Sequence, residues 1–238
     1  MGRHVLVTGG SRGIGRAIAE AFLADGDDVT ITGRDEQAER TAAEIGARAV
    51  RLDLGDVDAV AALPEHLPEH LDVLVNNAGG FASHPTPPGA PLRDVAERWH
   101  RDLAVNLVGA VLVVTALEDR LREGGAVLSI GSIGAEYAAN PYSAAKAALA
   151  AWNVGLAERL GPRGITANVV APGYVEGTDL FGGPLGSARH DALVARTHVG
   201  RAGTPQDVAT VVRMLTSPGA RHVTGQTVHV DGGAFTTR

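Results

Sequence analysis

The chain has 238 residues, of which 45% are hydrophobic and 20% are charged, values that are ordinary for a globular protein and exclude general disorder. Its 27 Asp and Glu residues outnumber 21 Lys and Arg, for a formal net charge of −6, so nucleic acid is not an expected partner. Cysteine is absent, which excludes disulfides, thiolate nucleophiles and cysteine metal sites and is consistent with a cytoplasmic protein.

Short apolar runs rich in β-branched residues predict seven strands in chain order. They are His4 to Thr8, Asp28 to Thr32, Arg48 to Leu52, Asp72 to Val75, Ala126 to Ile130, Thr166 to Val170 and Thr227 to Val230. Most of these runs are continuously apolar, which is typical of a parallel sheet whose two faces are both covered by helices.

Segments with helical character separate the predicted strands. They are Ile14 to Ala24, Glu36 to Ile45, Val57 to Leu63, Leu92 to Arg122, Ala144 to Leu160 and Gln206 to Thr216. Because strands and helices alternate without a break in composition, we predict a single doubly wound α/β domain over residues 1–238. The longest uncharged run, Leu103 to Leu117, is shorter than the ~20 residues that cross a bilayer, so no membrane segment is expected.

A glycine-rich turn follows the first predicted strand and opens the first helix. It reads Thr8-Gly-Gly-Ser-Arg-Gly-Ile-Gly15. Glycines permit positive φ and let the backbone approach a diphosphate closely, at a helix N-terminus that carries about half a positive charge. Such a segment is often only a turn, but its place in a strand-helix-strand unit at the start of the chain favours a dinucleotide site.

The residue after the second predicted strand indicates which dinucleotide is bound. An NAD site usually has Asp or Glu there for the ribose 2′-hydroxyl, whereas an NADP site uses Arg for the 2′-phosphate. This chain has Arg34, and Arg12 in the glycine-rich turn adds a second cation. We therefore predict NADP(H), with surface pairing of Arg34 to Asp35 or Glu36 as the alternative. Asp53, after the third strand, either accepts a hydrogen bond from the adenine amine or is an exposed turn residue.

Tyr142, Lys146 and Ser132 together indicate a proton-transfer site. Tyr142 and Lys146 are four residues apart and share one face of a predicted helix. A phenol with a pKa of about 10 is a poor proton shuttle at neutral pH, but a nearby ammonium and a positive nicotinamide favour the phenolate. Ser132 follows the fifth strand at the sheet edge where open α/β folds bind ligands, and it could stabilise an oxyanion. A Tyr-x-x-x-Lys pair alone is common in helices; the accompanying dinucleotide turn makes this one significant.

These motifs, in this order, resemble the short-chain dehydrogenase/reductase superfamily. Further matching pieces extend over nearly the whole chain: Asn76-Asn-Ala-Gly79, Val105-Asn106-Leu107, Gly131-Ser132, Pro172-Gly173 and Val230-Asp-Gly-Gly233. The resemblance implies a Rossmann-type α/β fold, a seven-stranded parallel sheet with helices on both faces, and an integral substrate loop at about residues 174–203. It also implies hydride transfer between NADP(H) and a small-molecule carbonyl or secondary alcohol.

The resemblance further implies a catalytic tetrad of Asn106, Ser132, Tyr142 and Lys146, and no metal. Tyr142 would be the acid or base and Ser132 the carbonyl anchor. Lys146 would bind the nicotinamide ribose and tune Tyr142, while Asn106 would hold a water that links Lys146 to solvent. Asn106 is an amide in an apolar run and could instead be a satisfied core residue. The implied cofactor-binding residues are Gly9, Ser11, Arg12, Gly13, Ile14, Gly15, Arg34, Asp53, Leu54, Asn77, Ala78, Gly79, Tyr142, Lys146, Pro172, Gly173 and Val175.

One departure from the superfamily pattern concerns the loop before Tyr142. Ser132 and Tyr142 are ten positions apart, closer than is usual among relatives. Ser129 would restore the usual spacing, but the Ile-Gly-Ser context favours Ser132. We expect the shortened loop to reshape the substrate pocket.

The substrate is less well defined by the sequence. The chain is most similar to 3-oxoacyl-carrier-protein reductases, which dock an acidic carrier with arginines at two positions. Arg163 occupies one of these positions and Glu123 the other, so a free ketone is at least as good a candidate as an acyl thioester. The expected pocket residues are Phe81, His84, Ile133 to Asn140, and Tyr174 to Thr197 with Leu180 and Phe181.

Two other functions stay open: a regulatory protein that binds NADP without turnover, and an NAD-dependent alcohol or sugar dehydrogenase.

Oligomeric assembly is predicted from the helix that contains Tyr142, because Lys146 is the one charged residue from Ala138 to Ala157. A helix that is apolar on all sides must be covered on its outer face too. Together with the uncharged run Leu103 to Leu117, it predicts a homo-oligomer, specifically a tetramer with two-fold symmetry.

Overall fold

The structure, a computed structural model, describes residues 2–81, 87–178, 180 and 185–236. Seven parallel strands form one sheet in the order β3-β2-β1-β4-β5-β6-β7, which confirms the predicted sheet. The strands are β1 (His4–Val7), β2 (Asp28–Gly33), β3 (Arg48–Arg51), β4 (Leu71–Asn76), β5 (Leu121–Ile130), β6 (Thr166–Pro172) and β7 (Thr227–Val230).

Helices cover both faces of the sheet. They are α1 (Gly13–Ala24), α2 (Gln37–Ile45), α3 (Val57–Ala62), α4 (Leu92–Leu103), α5 (Gly109–Leu117), α6 (Pro141–Leu160), α7 (Ser187–Val194) and α8 (Pro205–Leu215). Successive strand residues enter opposite layers, because Val5 and Val7 pack with α1 and α8 whereas Leu6 packs with α5 and α6. This alternation explains why the strands are apolar throughout. Among the described residues, no helix has the length and apolar character needed to span a membrane.

The predicted helix from Leu92 to Arg122 is wrong at its end. The helix stops at Leu117, a three-residue 3₁₀ turn follows, and β5 begins at Leu121. Gly124 in this strand has a φ of 71°, and the pairing with β4 shifts register where Leu71 faces Leu121. The charged and glycine-containing start of β5 carries no apolar run, so the sequence pattern did not mark it as a strand.

Two further helices differ from the prediction, one in its first residue and one in being absent from it. Helix α6 begins at Pro141 rather than Ala144, because the Asn140 side chain accepts a hydrogen bond from the Ser143 N–H at 2.9 Å and proline suits the first turn. Helix α7 was not predicted at all, since its eight residues show little apolar periodicity. The earlier start of α6 places Tyr142 in its first turn.

The strand order fixes the position of the site. The connections after β1 and after β4 lead to opposite halves of the sheet, so β1 and β4 flank the point where the order reverses. Ligands of open α/β sheets bind outside the carboxyl ends of the strands at this point. The glycine-rich turn follows β1, and Ser132 comes two residues after β5. Both therefore lie on the ligand-binding edge.

Candidate active site

The glycine-rich turn between β1 and α1 leaves no room for side chains. Gly9 and Gly13 have φ values of 65° and 51°. A Cβ atom on Gly9 would lie 2.8 Å from the Ala78 Cα, and one on Gly15 would lie 2.3 Å from the Gly9 carbonyl oxygen. Because α1 begins at Gly13, its free N–H groups face the turn. The turn therefore suits the diphosphate of a dinucleotide.

Two polar side chains hold this turn in place. The Thr8 hydroxyl accepts hydrogen bonds from the N–H groups of Asn77 and Ala78, both at 3.0 Å. The Asn77 side-chain amide donates to the Thr8 and Gly9 carbonyls, both at 2.9 Å. Asn77 is one of the cofactor-binding residues that the resemblance implies, and both of its side-chain N–H bonds are committed to the turn. Thr8 was not predicted as a site residue.

Arginines surround the cavity beside the end of β2. Arg34 is exposed, and among the described residues no carboxylate lies within 4.0 Å of its guanidinium. Its two expected surface partners are engaged elsewhere: Asp35 accepts from the Gln37 N–H at 3.1 Å, and Glu36 lies 3.5 Å from Arg40. The neighbouring cavity has a volume of about 510 Å³. It is lined by Ser11, Arg12, Gly13, Arg16, Asp35, Gln37 and Arg40.

Arg40 is a cavity residue that sequence reasoning missed. It contacts Glu36 and Gln37 through long, exposed interactions of 3.3 to 3.5 Å, which contribute little to stability. Arg16 is bound more closely, by Glu20 at 2.8 Å and Glu44 at 3.0 Å. Arg40 is thus free to turn towards an anion in the cavity. Its position six residues after Arg34, one turn into α2, was the available signal.

Asp53 and Leu54 follow β3. The Asp53 carboxylate accepts a hydrogen bond from the Gly55 N–H at 2.9 Å and is exposed, so it stabilises its own turn and keeps its second oxygen available. Leu54 is buried against Gly109, where an added Cβ would lie 2.8 Å from the Leu54 Cβ.

Tyr142, Ser132 and Lys146 come together at the carboxyl end of β5. Tyr142 and Lys146 are 8% and 4% exposed. The Ser132 hydroxyl lies near the Tyr142 hydroxyl, whose pKa it lowers, and accepts a hydrogen bond from the Gly134 N–H at 3.1 Å. The Lys146 ammonium donates to the Ile130 carbonyl at 2.7 Å and lies 5.7 Å from the centre of the Tyr142 ring.

Ser129 occupies a different environment from Ser132. It is completely buried within β5, and its hydroxyl has no hydrogen-bond partner in the part of the chain that the structure describes. The structure thus brings Ser132, and not Ser129, to the Tyr142 hydroxyl.

Burial has the largest effect on the pKa values of Tyr142 and Lys146. It raises the pKa of Tyr142 to about 12, and the hydrogen bond from Ser132 only partly opposes this. Burial likewise lowers the pKa of Lys146 to about 8. The sequence-based expectation of a favoured phenolate includes a positive nicotinamide beside Tyr142 and stays a prediction. In the protein alone, removing the phenolate from water costs more than the Ser132 hydroxyl returns. Tyr142 is a neutral phenol at neutral pH, able to donate a proton.

Asn106 lies in a π-helical turn, Ala104–Val108, that joins α4 to α5. Its side-chain oxygen accepts from the Gly80 N–H at 2.9 Å, and its NH₂ donates to the Gly80 carbonyl at 2.9 Å and the Asp102 carbonyl at 3.0 Å. A Cβ on Gly79 would lie 2.6 Å from this oxygen and 3.2 Å from the Lys146 ammonium. The buried amide is fully satisfied by the backbone, and it lies next to Lys146.

Aromatic residues border the site on the substrate side. The Phe81 ring lies 4.8 Å from the Tyr142 ring, measured between centroids, and is 43% exposed. Tyr174 is hydrogen-bonded through its hydroxyl to Nδ1 of His190 in α7 at 2.9 Å. Leu180 lies 4.0 Å from a Cβ built on Gly80. His84 and Phe181, which were also predicted to line the pocket, are outside the described residues.

The segment after β6 is held closely against the chain's last turn. A Cβ on Gly173 would lie 2.8 Å from the Asp231 Cβ, which fixes the backbone just after Pro172. Val175 pairs with Gly203 in an isolated parallel bridge. These contacts place the three predicted nicotinamide-side residues, Pro172, Gly173 and Val175, along one rigid segment.

Arg163, the residue considered for carrier docking, is hydrogen-bonded to two backbone carbonyls of its own chain. Its guanidinium donates to the Glu118 carbonyl at 2.9 Å and also to the Leu121 carbonyl. These bonds tie the end of α6 to the start of β5. The structure therefore offers no support for a carrier-binding role of this arginine.

Comparison with known proteins gives consistent matches. Residues 9–235 match the family model described as enoyl-(acyl carrier protein) reductase. The chain is 35% identical to the 3-oxoacyl-[acyl-carrier-protein] reductase of Escherichia coli, with 98% of each chain covered. It is 38% identical to the cyclic-di-GMP-binding biofilm dispersal mediator protein of the same organism, over 98% of this chain and 97% of the relative. A short-chain dehydrogenase from Burkholderia cenocepacia, solved in complex with NADP, has a TM-score of 0.87 and 38% identity, over 98% of this chain and 97% of that one.

Proposed function

The chain belongs to the short-chain dehydrogenase/reductase superfamily of oxidoreductases, and from this we propose that it transfers a hydride between NADP(H) and a small-molecule carbonyl or secondary alcohol. The observation that carries the proposal is the buried group formed by Ser132, Tyr142 and Lys146 beside a glycine-rich turn suited to a diphosphate. NADP complexes of a similar solved structure support the choice of cofactor.

The proposed chemistry assigns one task to each side chain. When bound, the nicotinamide supplies or accepts the hydride. Tyr142 donates its hydroxyl proton to the substrate oxygen during reduction. Its raised pKa of about 12 keeps the phenol protonated in the protein alone, and the positive charge of a bound nicotinamide would lower that pKa towards the range in which the proton transfers readily. Ser132 donates a hydrogen bond to the same oxygen and stabilises negative charge there. Lys146 binds the nicotinamide ribose, and Asn106 keeps the backbone at Gly80 in place beside it.

The remaining cofactor contacts are proposals of the same kind. We assign the diphosphate to the glycine-rich turn, the 2′-phosphate to Arg12, Arg34 and Arg40, and the nicotinamide to the segment from Pro172 to Val175. Residues 1–238 are proposed to act as one domain, since all seven strands share a sheet. A cytoplasmic location stays a prediction of the sequence.

An NADPH-oxidation screen over ketones, diketones and acyl thioesters tests the function. We expect turnover of at least one free ketone. Because Arg163 is bound to backbone carbonyls, we do not expect a preference for thioesters delivered by a carrier protein. Binding of NADPH without turnover of any carbonyl compound would contradict the proposal.

That outcome would favour the second candidate, an NADP-binding regulatory protein. One relative at 38% identity is named as a cyclic-di-GMP-binding mediator, so this candidate has a specific observation behind it. The proton-transfer group distinguishes the two, because a sensor has no use for a buried Tyr142 beside Lys146. A titration with cyclic di-GMP alongside the screen therefore separates a sensor from a reductase.

Cofactor preference provides the first prediction. Arg34→Asp is expected to reduce the ratio of kcat/KM for NADPH to that for NADH by about tenfold or more, because it removes a charge-assisted contact to the 2′-phosphate. Arg40→Gln should change the ratio in the same direction. Arg48→Gln is the matched control, since Arg48 is an exposed arginine of β3. An unchanged preference in Arg34→Asp would refute the assignment of the 2′-phosphate.

We also propose that the chain forms a homo-oligomer: the outer face of α6 would pair two chains as a dimer, and two such dimers would form the predicted tetramer. Ala147, Ala151 and Val154 share this face and are exposed, Val154 to 59%. Val108, in the π turn that precedes α5, is 46% exposed. Small side chains allow another helix to approach closely, and a second copy of the same face is self-complementary across a two-fold axis.

Light scattering tests this assembly. We expect a multiple of the single-chain mass of 24.5 kDa, and we expect Ala151→Arg to lower the mass by placing a charge in the contact. Arg48→Gln should leave the mass unchanged. A wild-type mass of one chain at micromolar concentration would contradict the proposal.

A further inference from the structure

Four side chains from separate parts of the chain meet beside the site, and we call them the Arg196 cluster: Tyr137, Arg196, His229 and Phe235. The Arg196 guanidinium lies over the Tyr137 ring, 5.0 Å from its centre. The Tyr137 and Phe235 ring centroids are 6.3 Å apart, and those of His229 and Phe235 are 5.3 Å apart. The cluster joins the substrate segment, the loop before α6, β7 and the last described turn.

Backbone contacts connect the Arg196 cluster to the two segments that border the proposed reaction site. Tyr137 is in the loop between Ser132 and Tyr142. Immediately after Arg196, the N–H groups of His198 and Val199 donate to the Gly232 carbonyl at 2.8 and 3.2 Å. The same turn abuts the chain just after Pro172, because a Cβ on Gly173 would lie 2.8 Å from the Asp231 Cβ. The backbone that follows Arg196 is therefore tied to the last described turn, which abuts the segment after Pro172, while the Arg196 guanidinium contacts Tyr137 in the loop before α6.

The charge of Arg196 is not compensated by neighbouring acids. Among the described residues, no carboxylate lies within 4.0 Å of its guanidinium. Glu136 is 3.7 Å from His229, and Asp231 accepts hydrogen bonds from the N–H groups of Gly233 and Phe235 at 2.9 and 2.8 Å.

Arg201, in the same segment of the chain, shows the contrast. Asp207 binds its guanidinium in a two-point contact at 2.7 and 2.9 Å. A guanidinium stacked on an aromatic face keeps its N–H edges available for such a contact with an anion. Arg196 therefore differs from Arg201 in that no carboxylate within the described residues occupies its guanidinium.

We propose that Arg196 binds an anionic group of the substrate, so that the substrate is a ketone or aldehyde with a carboxylate or phosphate ester away from its carbonyl. This inference rests on the proposed reductase function. Tyr137 acts as the platform that orients the guanidinium. Tyr137 belongs to the shortened loop before Tyr142, so the departure from the usual spacing lies in the loop that supplies this platform.

Matched substrate pairs test the proposal. We compare kcat/KM for 4-oxopentanoate with that for 2-pentanone, and for dihydroxyacetone phosphate with that for dihydroxyacetone. The wild type is expected to prefer the anionic member of at least one pair, and the pair shows whether carboxylate or phosphate is recognised. Arg196→Gln is expected to reduce this preference by about tenfold or more, with the neutral ketone unaffected.

Control variants separate charge from folding. Arg48→Gln removes an exposed arginine elsewhere and should leave the preference unchanged. Tyr137→Leu should weaken the preference because it removes the platform, whereas Tyr137→Phe should retain it. A wild type that prefers the neutral member of both pairs would overturn the inference, as would an Arg196→Gln variant with unchanged preference.

A binding measurement keeps this test independent of turnover. Calorimetric titration of 4-oxopentanoate and of inorganic phosphate into the protein with NADP⁺ gives dissociation constants that need no reaction. Weaker binding of one of them to Arg196→Gln supports the anion site even where the carbonyl screen finds no turnover and the reductase proposal itself fails. Equal dissociation constants for wild type and variant overturn the site even where reductase activity is found.

Discussion

Tyr142→Phe is expected to lower kcat for carbonyl reduction by about 10²- to 10⁴-fold, because the variant has no proton to donate to the developing alkoxide. The affinity for NADPH should stay near that of the wild type, since the ring keeps its size and its contact with Phe81. Ser132 retains its hydrogen bond with the Gly134 N–H. The measurement is kcat on the best substrate of the screen, with NADPH binding titrated separately.

Tyr137→Phe is the matched control for this variant. It makes the same chemical change five residues earlier in the chain, on a ring that is 50% exposed. We expect it to keep kcat within about twofold of the wild type, as is usual for a surface substitution. Wild-type turnover by Tyr142→Phe would show that another group donates the proton.

Ser132→Ala is expected to lower kcat by about 10²- to 10³-fold, the usual cost of removing one hydrogen-bond donor to an oxyanion. The loss should appear in kcat rather than in the KM for NADPH, because Ser132 contacts the reacting oxygen and Tyr142 rather than the nucleotide.

Ser129→Ala is the internal comparison for Ser132→Ala. The Ser129 hydroxyl is buried and has no hydrogen-bond partner within the described ranges, so its removal should leave the free energy of unfolding unchanged or raise it. Turnover should be unaffected. Loss of turnover in Ser129→Ala but not in Ser132→Ala would reverse the assignment of the carbonyl anchor, and urea unfolding of both variants excludes a folding defect.

The sheet was predictable because burial on both faces leaves a continuous apolar run in the sequence. All seven predicted runs lie on strands of the structure. The prediction failed where that physical signal is absent. At the start of β5 the buried Leu121 is followed by the exposed, charged Arg122 and Glu123 and by two glycines, so no apolar run forms there. Helix α7 is too short and too exposed to show a periodic apolar face.

The sequence identified candidate site residues, but it did not indicate how deeply they are buried or how burial shifts their pKa values. Spacing placed Tyr142 and Lys146 on one helical face. The direction of the Tyr142 pKa shift depends on how much water the folded chain excludes, which no local pattern records. Arg40 was missed although its place one turn into α2 was a local signal. The predicted pocket segments include Tyr137 and Arg196, but their contact joins distant parts of the chain, and a single sequence does not reveal it.

The π turn that carries Asn106 links the site to the genetic history of the chain. A π turn holds one residue more than the α turn it replaces, so it accommodates a one-codon insertion without misaligning the helices on either side. Deleting one codon within Ala104–Val108 would restore a regular α-helix and keep α4 and α5 in phase. Asn106 is held within this turn by its bonds to the Gly80 backbone and the Asp102 carbonyl, so the deletion would remove the turn geometry that presents the amide to Gly80. The helix could therefore lose or regain this amide contact in a single mutational step.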